Sequence, residues 1–420
     1  MRTQTETDIV VGMPLREPGQ DVVYLIAPSG HPNYGDELIA AAWLKFLAAR
    51  RPHSLVVLDC HTPGQASVLL SGIHPNVVFV DTVWRLAVEA STRTPEDADD
   101  FLHNVVGDPG RACLIVDGIS ILSQASSIHI LGGGYINGVW PHHYALLTLV
   151  MSAQQHSGAR IYATGQGLMP LGNEAVVSKA ADIFDVFDVR DEPSAQIAGT
   201  VLTGDDAWLD KTQQPRRGVV GEAARRQVLL CLQADLTGSD DGAETLAGMV
   251  RTMLDDWAVP GTDVAVIEAI PGTDRVVFDR LGDRLDGAVF VPFTELWRLG
   301  FPARADQTWI STRFHPHLLA AATGTSGVAI SGQRGYYDTK HQSLLDLGSG
   351  WELVHVGGET PTTKPTNGGF APEQVAALRK AKQELAHALY PPRSLTDTAR
   401  DLTPTVVRRA VGRGKRALKL

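Results

Sequence analysis

Cysteine is scarce in this 420-residue chain: Cys60, Cys113 and Cys231 stand far apart, with no CxxC pair and no histidine at a metal-ligand spacing. That pattern argues against a disulfide framework or a structural zinc site. Positive charge is in the minority, with 37 Lys and Arg against 47 Asp and Glu and a net charge of −10. A protein that coats nucleic acid needs a broad basic face, so that class is excluded. No apolar run approaches the roughly 18 residues of a membrane span, and Glu6 and Asp8 interrupt the stretch where a secretory leader would be apolar. The chain therefore reads as cytoplasmic. Nucleotide fingerprints are missing too: residues 131–138 run LGGGYING and residues 165–172 run GQGLMPLG, neither giving G-x-G-x-x-G, and G-x-x-x-x-G-K-[ST] does not occur. Bound NAD and P-loop chemistry are both disfavoured.

What is present is an ordinary globular composition, 44% hydrophobic and 20% charged, too long for one compact core and so read as two domains. Short apolar strands ending in Gly, Ser, Asp or Asn alternate with helical stretches, the signature of βαβ units. Strands are expected at 21–26, 54–59, 76–81, 127–131, 160–164 and 186–189, with a first helix at 35–50 whose Leu38, Ile39, Ala42, Phe46 and Leu47 fall on one face. None alternates cleanly, so helices should cover both faces of the sheet. Residues 211–226 (KTQQPRRGVVGEAARR) break the pattern. A second set follows, with strands at 227–232, 263–267, 287–291, 308–311, 327–331 and 352–356 and a late helix at 373–389. The expected architecture is two doubly wound Rossmann-like α/β domains, 1–210 and 227–392, facing across a cleft, with a linker at 211–226 and a tail at 393–420.

In doubly wound sheets ligands bind beyond the carboxyl ends of the strands, and the informative residues of this chain sit there. After the first strand, Asn33-Tyr34-Gly35-Asp36-Glu37 opens a helix; Gly132-Gly133-Gly134, Gly165-Gln166-Gly167 and Arg190-Asp191 follow the fourth, fifth and sixth. Each such loop by itself is more often a tight turn than a site. Asp36 could accept a proton from a substrate hydroxyl, whereas Glu37 reads as serving the helix dipole. In the second half Ser311-Thr312-Arg313-Phe314-His315 joins a strand to an apolar helix, placing a guanidinium and an imidazole at a helix start. Arg334, Lys340 and His341 join the same edge. A basic cluster on an acidic chain points to a small anionic ligand, against the alternative of a solvated loop. Asp205-Asp206 follows Thr203-Gly204 without a third ligand in view, so no metal is expected.

Taken in order, Asn33 to Glu37, Gly132 to Gly134, Gly165 to Gly167 with Pro170, Arg190 to Ser194, Thr203 to Asp205, Ser311 to His315, and Tyr337 to Lys340 followed by Leu347-Gly348 resemble the motifs of the polysaccharide pyruvyl transferase family. The resemblance spans roughly three quarters of the chain, and seven motifs in order are specific where each alone is weak. It implies a GT-B-like fold and transfer of the enolpyruvyl group of phosphoenolpyruvate onto two hydroxyls of one sugar, leaving a pyruvate ketal and free phosphate. On that analogy Arg313, His315 and Lys340 match the family's anion-binding and catalytic positions and Arg190 the basic residue of its RD motif; the chemistry itself adds Arg334 to the donor-binding Arg190, Arg313 and Lys340, and makes His315 the acid and Asp36 the candidate base beside Arg313. Asn33, Gly35, Gly133, Gly134 and Gln166 are expected on the acceptor side. The chemistry calls for no metal or redox cofactor, only phosphoenolpyruvate as co-substrate and a sugar or glycan acceptor that a lipid could carry. A nucleotide-sugar glycosyltransferase on the same architecture and a catalytically silent glycan-binding protein are the alternatives.

Residues 393–420 hold eight basic residues and two acids. The segment reads either as a solvated tail or as a basic amphipathic stretch in peripheral contact with an anionic membrane, each cation there contributing about 1 kcal/mol. On the second reading the full chain co-sediments with anionic vesicles at low salt and a chain ending at Pro392 does not; equal sedimentation of the two would rule the tail out as the anchor.

Overall fold

A computed structural model of the chain describes residues 20–210, 217–234, 241–332 and 337–392. The tail, Arg334 and residues 211–216 of the expected linker lie outside the described residues. Seven parallel strands form the first sheet: β1 (Val22–Ile26), β2 (Leu55–Asp59), β3 (Val77–Val80), β4 (Ser127–Ile130), β5 (Arg160–Gln166), β6 (Val186–Val189) and β7 (Val201–Leu202), in the order 3-2-1-4-5-6-7. Six form the second: β8 (Val228–Cys231), β9 (Val264–Ile267), β10 (Val289–Val291), β11 (Thr308–Ser311), β12 (Ser326–Ser331) and β13 (Glu352–His355), in the order 10-9-8-11-12-13. Both are therefore doubly wound and Rossmann-like, as the strand-and-helix rhythm implies. The central strands are buried on both faces, which is why their sequences do not alternate.

The chain departs from the sequence reading in five places, four of them in the first helix, the linker and the first sheet and the fifth in the late helix. The helix Tyr34–Arg50 is buried almost all round, through Ile39, Ala40, Ala41, Ala42, Trp43, Leu44 and Leu47, because it lies between the two domains: the Tyr34 amide donates to Ala269 O at 3.0 Å. A one-sided stripe is the mark of a helix with solvent on its other face. Within the expected linker, residues Gly218–Ala223 form a helix whose Val220 and Ala223 are buried in the core of the second domain. β5 runs on to Gln166, so Gly165-Gln166 is the end of a strand with irregular pairing rather than a loop. β7 has only two residues, both exposed, too short for any periodicity to reveal it.

The late helix, Pro372–Leu389, lies beyond the second sheet in sequence but returns to the first domain. Its Lys382 is fully buried, with Nζ 2.7 Å from Asp188 Oδ2 and 2.9 Å from Asp206 Oδ1. Next to the helix, Tyr390 meets His129 Nδ1 through its hydroxyl at 3.2 Å. Burial lowers the Lys382 pKa, but Asp206 and Asp188 more than offset this and hold it above 10.5. One apolar cluster runs through both domains, from Leu25 and Trp43 to Phe301, Leu318 and Trp309.

Removing one partner of a buried ion cluster leaves uncompensated charge in a low-dielectric interior, at a cost of about 3–5 kcal/mol. Lys382→Met is expected to lower unfolding stability by that order, measured by urea denaturation. In the wild type the contribution of Lys382 is full at neutral pH and is lost as pH rises above 10.5 through the raised pKa; a variant with unchanged stability would remove the helix clamp from the account.

Candidate functional site

Strand order reverses between β1 and β4 in one sheet and between β8 and β11 in the other. The two reversal points face one another across a cleft of about 760 Å3, within the range of roughly 300–1,000 Å3 for small-molecule sites. Asn33 and Asp36 after β1, Gly134 after β4, Arg190 after β6, Gln233 after β8, Arg313 and His315 after β11, and Lys340 after β12 all line it. A second interdomain cavity, about 250 Å3 beside Tyr34, Trp297 and Phe301, lies behind the same helix and holds the Lys45–Asp210 pair.

Each polar residue is held by local turn chemistry. Asn33 caps the helix Tyr34–Arg50, its Oδ1 accepting from the Gly35 amide at 3.3 Å and its Nδ2 donating to Asp36 Oδ2 at 2.8 Å. Asp191 caps the next short helix by accepting from the Ser194 amide at 2.9 Å, which fixes the direction in which Arg190 leaves β6. Ser311 Oγ accepts from the Arg313 amide at 3.0 Å, and Thr312 Oγ1 accepts from the Gln233 amide at 2.6 Å, so the Ser-Thr-Arg run ties β11 to the loop after β8.

The buried carboxylate Asp205 organises the centre. Its Oδ2 receives Arg190 at 3.2 Å, its Oδ1 lies 3.4 Å from His315 Nε2, and the Ala207 amide donates to it at 2.9 Å. Burial pushes its pKa up, but the charges of His315 and Arg190 more than offset this and hold it well below the usual carboxylate range. Arg190 in turn lies over the Phe314 ring at 4.1 Å. Arg313 is gripped by Asp274, whose Oδ1 receives Nε at 3.0 Å and whose Oδ2 accepts the Ala269 and Ile270 amides at 2.8 and 3.0 Å. Burial raises the Asp36 pKa, and His315, Lys340 and Arg190 pull it back in part. Burial and the neighbouring Arg190 push the Lys340 ammonium well below its ordinary value, so an arriving anion would favour its charged form.

Two glycines are explained by what a side chain would strike. A Cβ at Gly35 would fall on the imidazole of His315 at Nδ1, and one at Gly134 would stand 2.7 Å from Arg190 and 3.3 Å from Lys340. The backbone of one domain thus touches the catalytic candidates of the other. Gly133 and Gln166 lie deeper. Gly133, at φ +150°, bonds to Gly165 and Gly167 through its backbone, and Gln166 is fully buried, donating to Leu131 O at 2.8 Å and Thr164 O at 2.9 Å. Neither is among the residues that line the cleft; the Gln166 amide satisfies carbonyls at the ends of β4 and β5.

Sequence reasoning missed Asp205 as the centre of the site, Asp274 as the partner of Arg313, and the cluster His61, Trp140, His142 and His143 on the first-domain wall. A carboxylate directly after the Thr203-Gly204 turn was a signal for Asp205. Nothing local marks Asp274 or the wall residues. Among the described residues no three His, Cys, Asp or Glu side chains converge as a metal site, and no helix is long and apolar enough to cross a membrane.

The two doubly wound sheets and the facing strand ends define a two-domain α/β protein of GT-B-like architecture. UDP-GlcNAc 2-epimerase from Methanocaldococcus jannaschii is similar at 10% identity and TM-score 0.50, over 88% of this chain and 99% of that one. MurG from Acinetobacter baumannii is similar at 11% identity and TM-score 0.46, over 88% and 99%. Residues 33–238 match the model of the polysaccharide pyruvyl transferase family, a span that takes in the first five of the ordered motifs, from Asn33 to Asp205, and ends before Ser311 to His315 and Tyr337 to Gly348. No curated protein matches the chain significantly.

Beneath the cleft, Glu37 is fully buried, accepts from the Gly30 amide at 2.7 Å, and has its pKa pushed by burial from 4.5 to about 8. A carboxyl that binds its proton more tightly when folded stabilises most below pH 4.5, and that contribution declines as pH rises towards 8. Glu37→Gln, which keeps the acceptor, is expected to flatten the stability–pH profile between those values, by on the order of a few kcal/mol. Parallel wild-type and variant profiles from denaturant titration at several pH values would contradict this.

Proposed function

We propose that the chain transfers the pyruvyl group of phosphoenolpyruvate to two hydroxyls of a sugar. The observation that carries this reading is the convergence of Arg190, Arg313, Lys340 and His315 with one carboxyl of raised pKa, Asp36, in a single interdomain cleft. The family match supports it. A donor with a carboxylate and a phosphate needs several cations in a water-poor site, where their interaction with developing charge is strongest.

His315 gives a proton to the methylene carbon of the donor, and C2 becomes an oxocarbenium. A sugar hydroxyl adds to C2 while Asp36 takes its proton. The C2–O bond to phosphate breaks, and the second hydroxyl closes the ketal. Two C–O bonds form, one breaks, and the two hydroxyl protons are balanced by one on the new methyl group and one on the phosphate. Asp205 Oδ1 stands 3.4 Å from His315 Nε2, and Gly35 lies beside the other edge of the ring; Asp205 also fixes Arg190, while Asp274 fixes Arg313. These buried carboxylates set the orientation of the cations before substrate arrives, which lowers the reorganisation needed in the transition state.

Incubation with phosphoenolpyruvate and a panel of glycan acceptors should release phosphate and add the mass of pyruvic acid less water to the acceptor. Absence of both, with no affinity for phosphoenolpyruvate, would refute the reading. Arg313→Ala and His315→Ala should each cost about a hundredfold or more in kcat, while Lys340→Ala chiefly raises the donor KM. Gly35→Ala should match His315→Ala, since its methyl would occupy the place of the ring; a fully active Gly35→Ala protein would show that His315 does not act from this position.

A further inference from the structure

The walls of the cleft differ in chemistry. Arg190, Arg313 and Lys340 stand at one end, whereas the first-domain wall beyond Gly134 is made of rings: His61, Tyr135, Trp140, His142 and His143. We propose that this ring wall is the acceptor subsite and that it selects an uncharged pyranose, held by stacking of its C–H face and by hydrogen bonds from its hydroxyls to imidazole. The assignment rests on the pyruvyl-transfer reading for the identity of the second substrate, and deepens it by naming that substrate's class.

Three observations carry it. The rings form one continuous surface, with centroids 3.8 Å apart for His61 and Trp84, 5.8 Å for His61 and His143, 4.2 Å for His142 and His143, and a stacked 6.1 Å for Trp140 and His143. The surface is pinned from behind: Trp84 Nε1 donates to Asp59 O at 3.2 Å, Tyr135 donates to Leu131 O at 2.6 Å, and His143 Nδ1 donates to Tyr135 O at 2.8 Å. Asn137 stiffens the loop between, donating to Gly134 O and accepting from the Val139 amide. A platform ordered in advance binds with less loss of side-chain freedom.

The third observation is charge. Burial lowers the pKa values of His61 and His143 to about 4 and lowers that of His142 as well, so these imidazoles are neutral at neutral pH; His61 and His142 each carry one donor and one acceptor, and His143, whose Nδ1–H goes to Tyr135 O, has Nε2 as an acceptor. Neutral rings suit the C–H face and hydroxyls of an uncharged sugar, and none of the five wall residues offers an Arg or Lys to a uronate or a sugar phosphate. The anionic donor has its cations at the other end, so the two substrates are sorted by charge within one cavity.

The test uses the full chain and saturation-transfer NMR with methyl glycosides of glucose, galactose, mannose and N-acetylglucosamine, with methyl glucuronide as the charged counterpart. At least one neutral glycoside should receive saturation at its ring C–H protons. Its Kd should rise about tenfold or more in Trp140→Ala and His142→Ala, and Trp140→Phe should retain most of the affinity. The assignment is overturned if no neutral glycoside binds, if the glucuronide binds as well as the neutral sugars, or if both alanine variants bind like the wild type. Phosphoenolpyruvate binding, followed separately by 31P line broadening, should be unchanged in both variants. Sugar binding that is lost in the alanine variants, in a protein with no affinity for phosphoenolpyruvate, would refute the transfer chemistry and support the sugar wall.

Discussion

Two adjacent carboxylates turned in opposite directions tie this structure together. Asp206 points inward and takes Trp43 Nε1, the Gly132 amide and Thr164 Oγ1 on one oxygen, at 2.8, 2.9 and 2.6 Å, and Lys382 on the other. Asp205 points into the cleft and takes Arg190 and His315. Through one peptide unit the buried core of the first domain, the returning C-terminal helix and the cationic end of the cleft are coupled. Buried charge is stable only when paired and hydrogen-bonded, so every group on these two side chains constrains the position of the others.

That coupling explains why the cleft is assembled from so many strand ends. Gly132 and Gly165 leave the space that the Asp206 side chain fills, and Gly134 and Gly167 leave the space for the Arg190 guanidinium. The glycine-rich loops fit no nucleotide fingerprint in sequence, and in this chain they let side chains from other strands approach the backbone. His315 against Gly35 is the same device used between domains, so the place of the His315 ring depends on how the domains sit together.

The functional reading places the two substrates by charge. Cations held by Asp205 and Asp274 occupy one end, and neutral rings occupy the other. Asp36, whose pKa is raised by burial, stands at the helix start that faces His315. Such a division lets one small cavity orient an anion and an uncharged ring without either displacing the other.

Twelve of the strands along the chain, the two-domain architecture and the strand-end residues Asp36, Arg190, Arg313, His315 and Lys340 were legible in the sequence, because buried parallel strands leave continuous apolar runs and the turns after them carry recognisable Gly, Asp and Ser/Thr signals. Periodicity could not show that helix Pro372–Leu389 crosses back to the first sheet, nor that the helix Tyr34–Arg50 is enclosed by both domains, since neither fact is written in local pattern. Asp274 is 39 residues from Arg313, and Lys382 is 194 from Asp188. Pairings of that range are decided by burial and charge compensation once the chain is compact. The sequence determined which chemistry-bearing residues end the strands; only the tertiary structure decided which carboxylate holds each cation, which glycine makes room for it, and that a wall of neutral rings completes the cleft, because those choices depend on distances that no local spacing encodes.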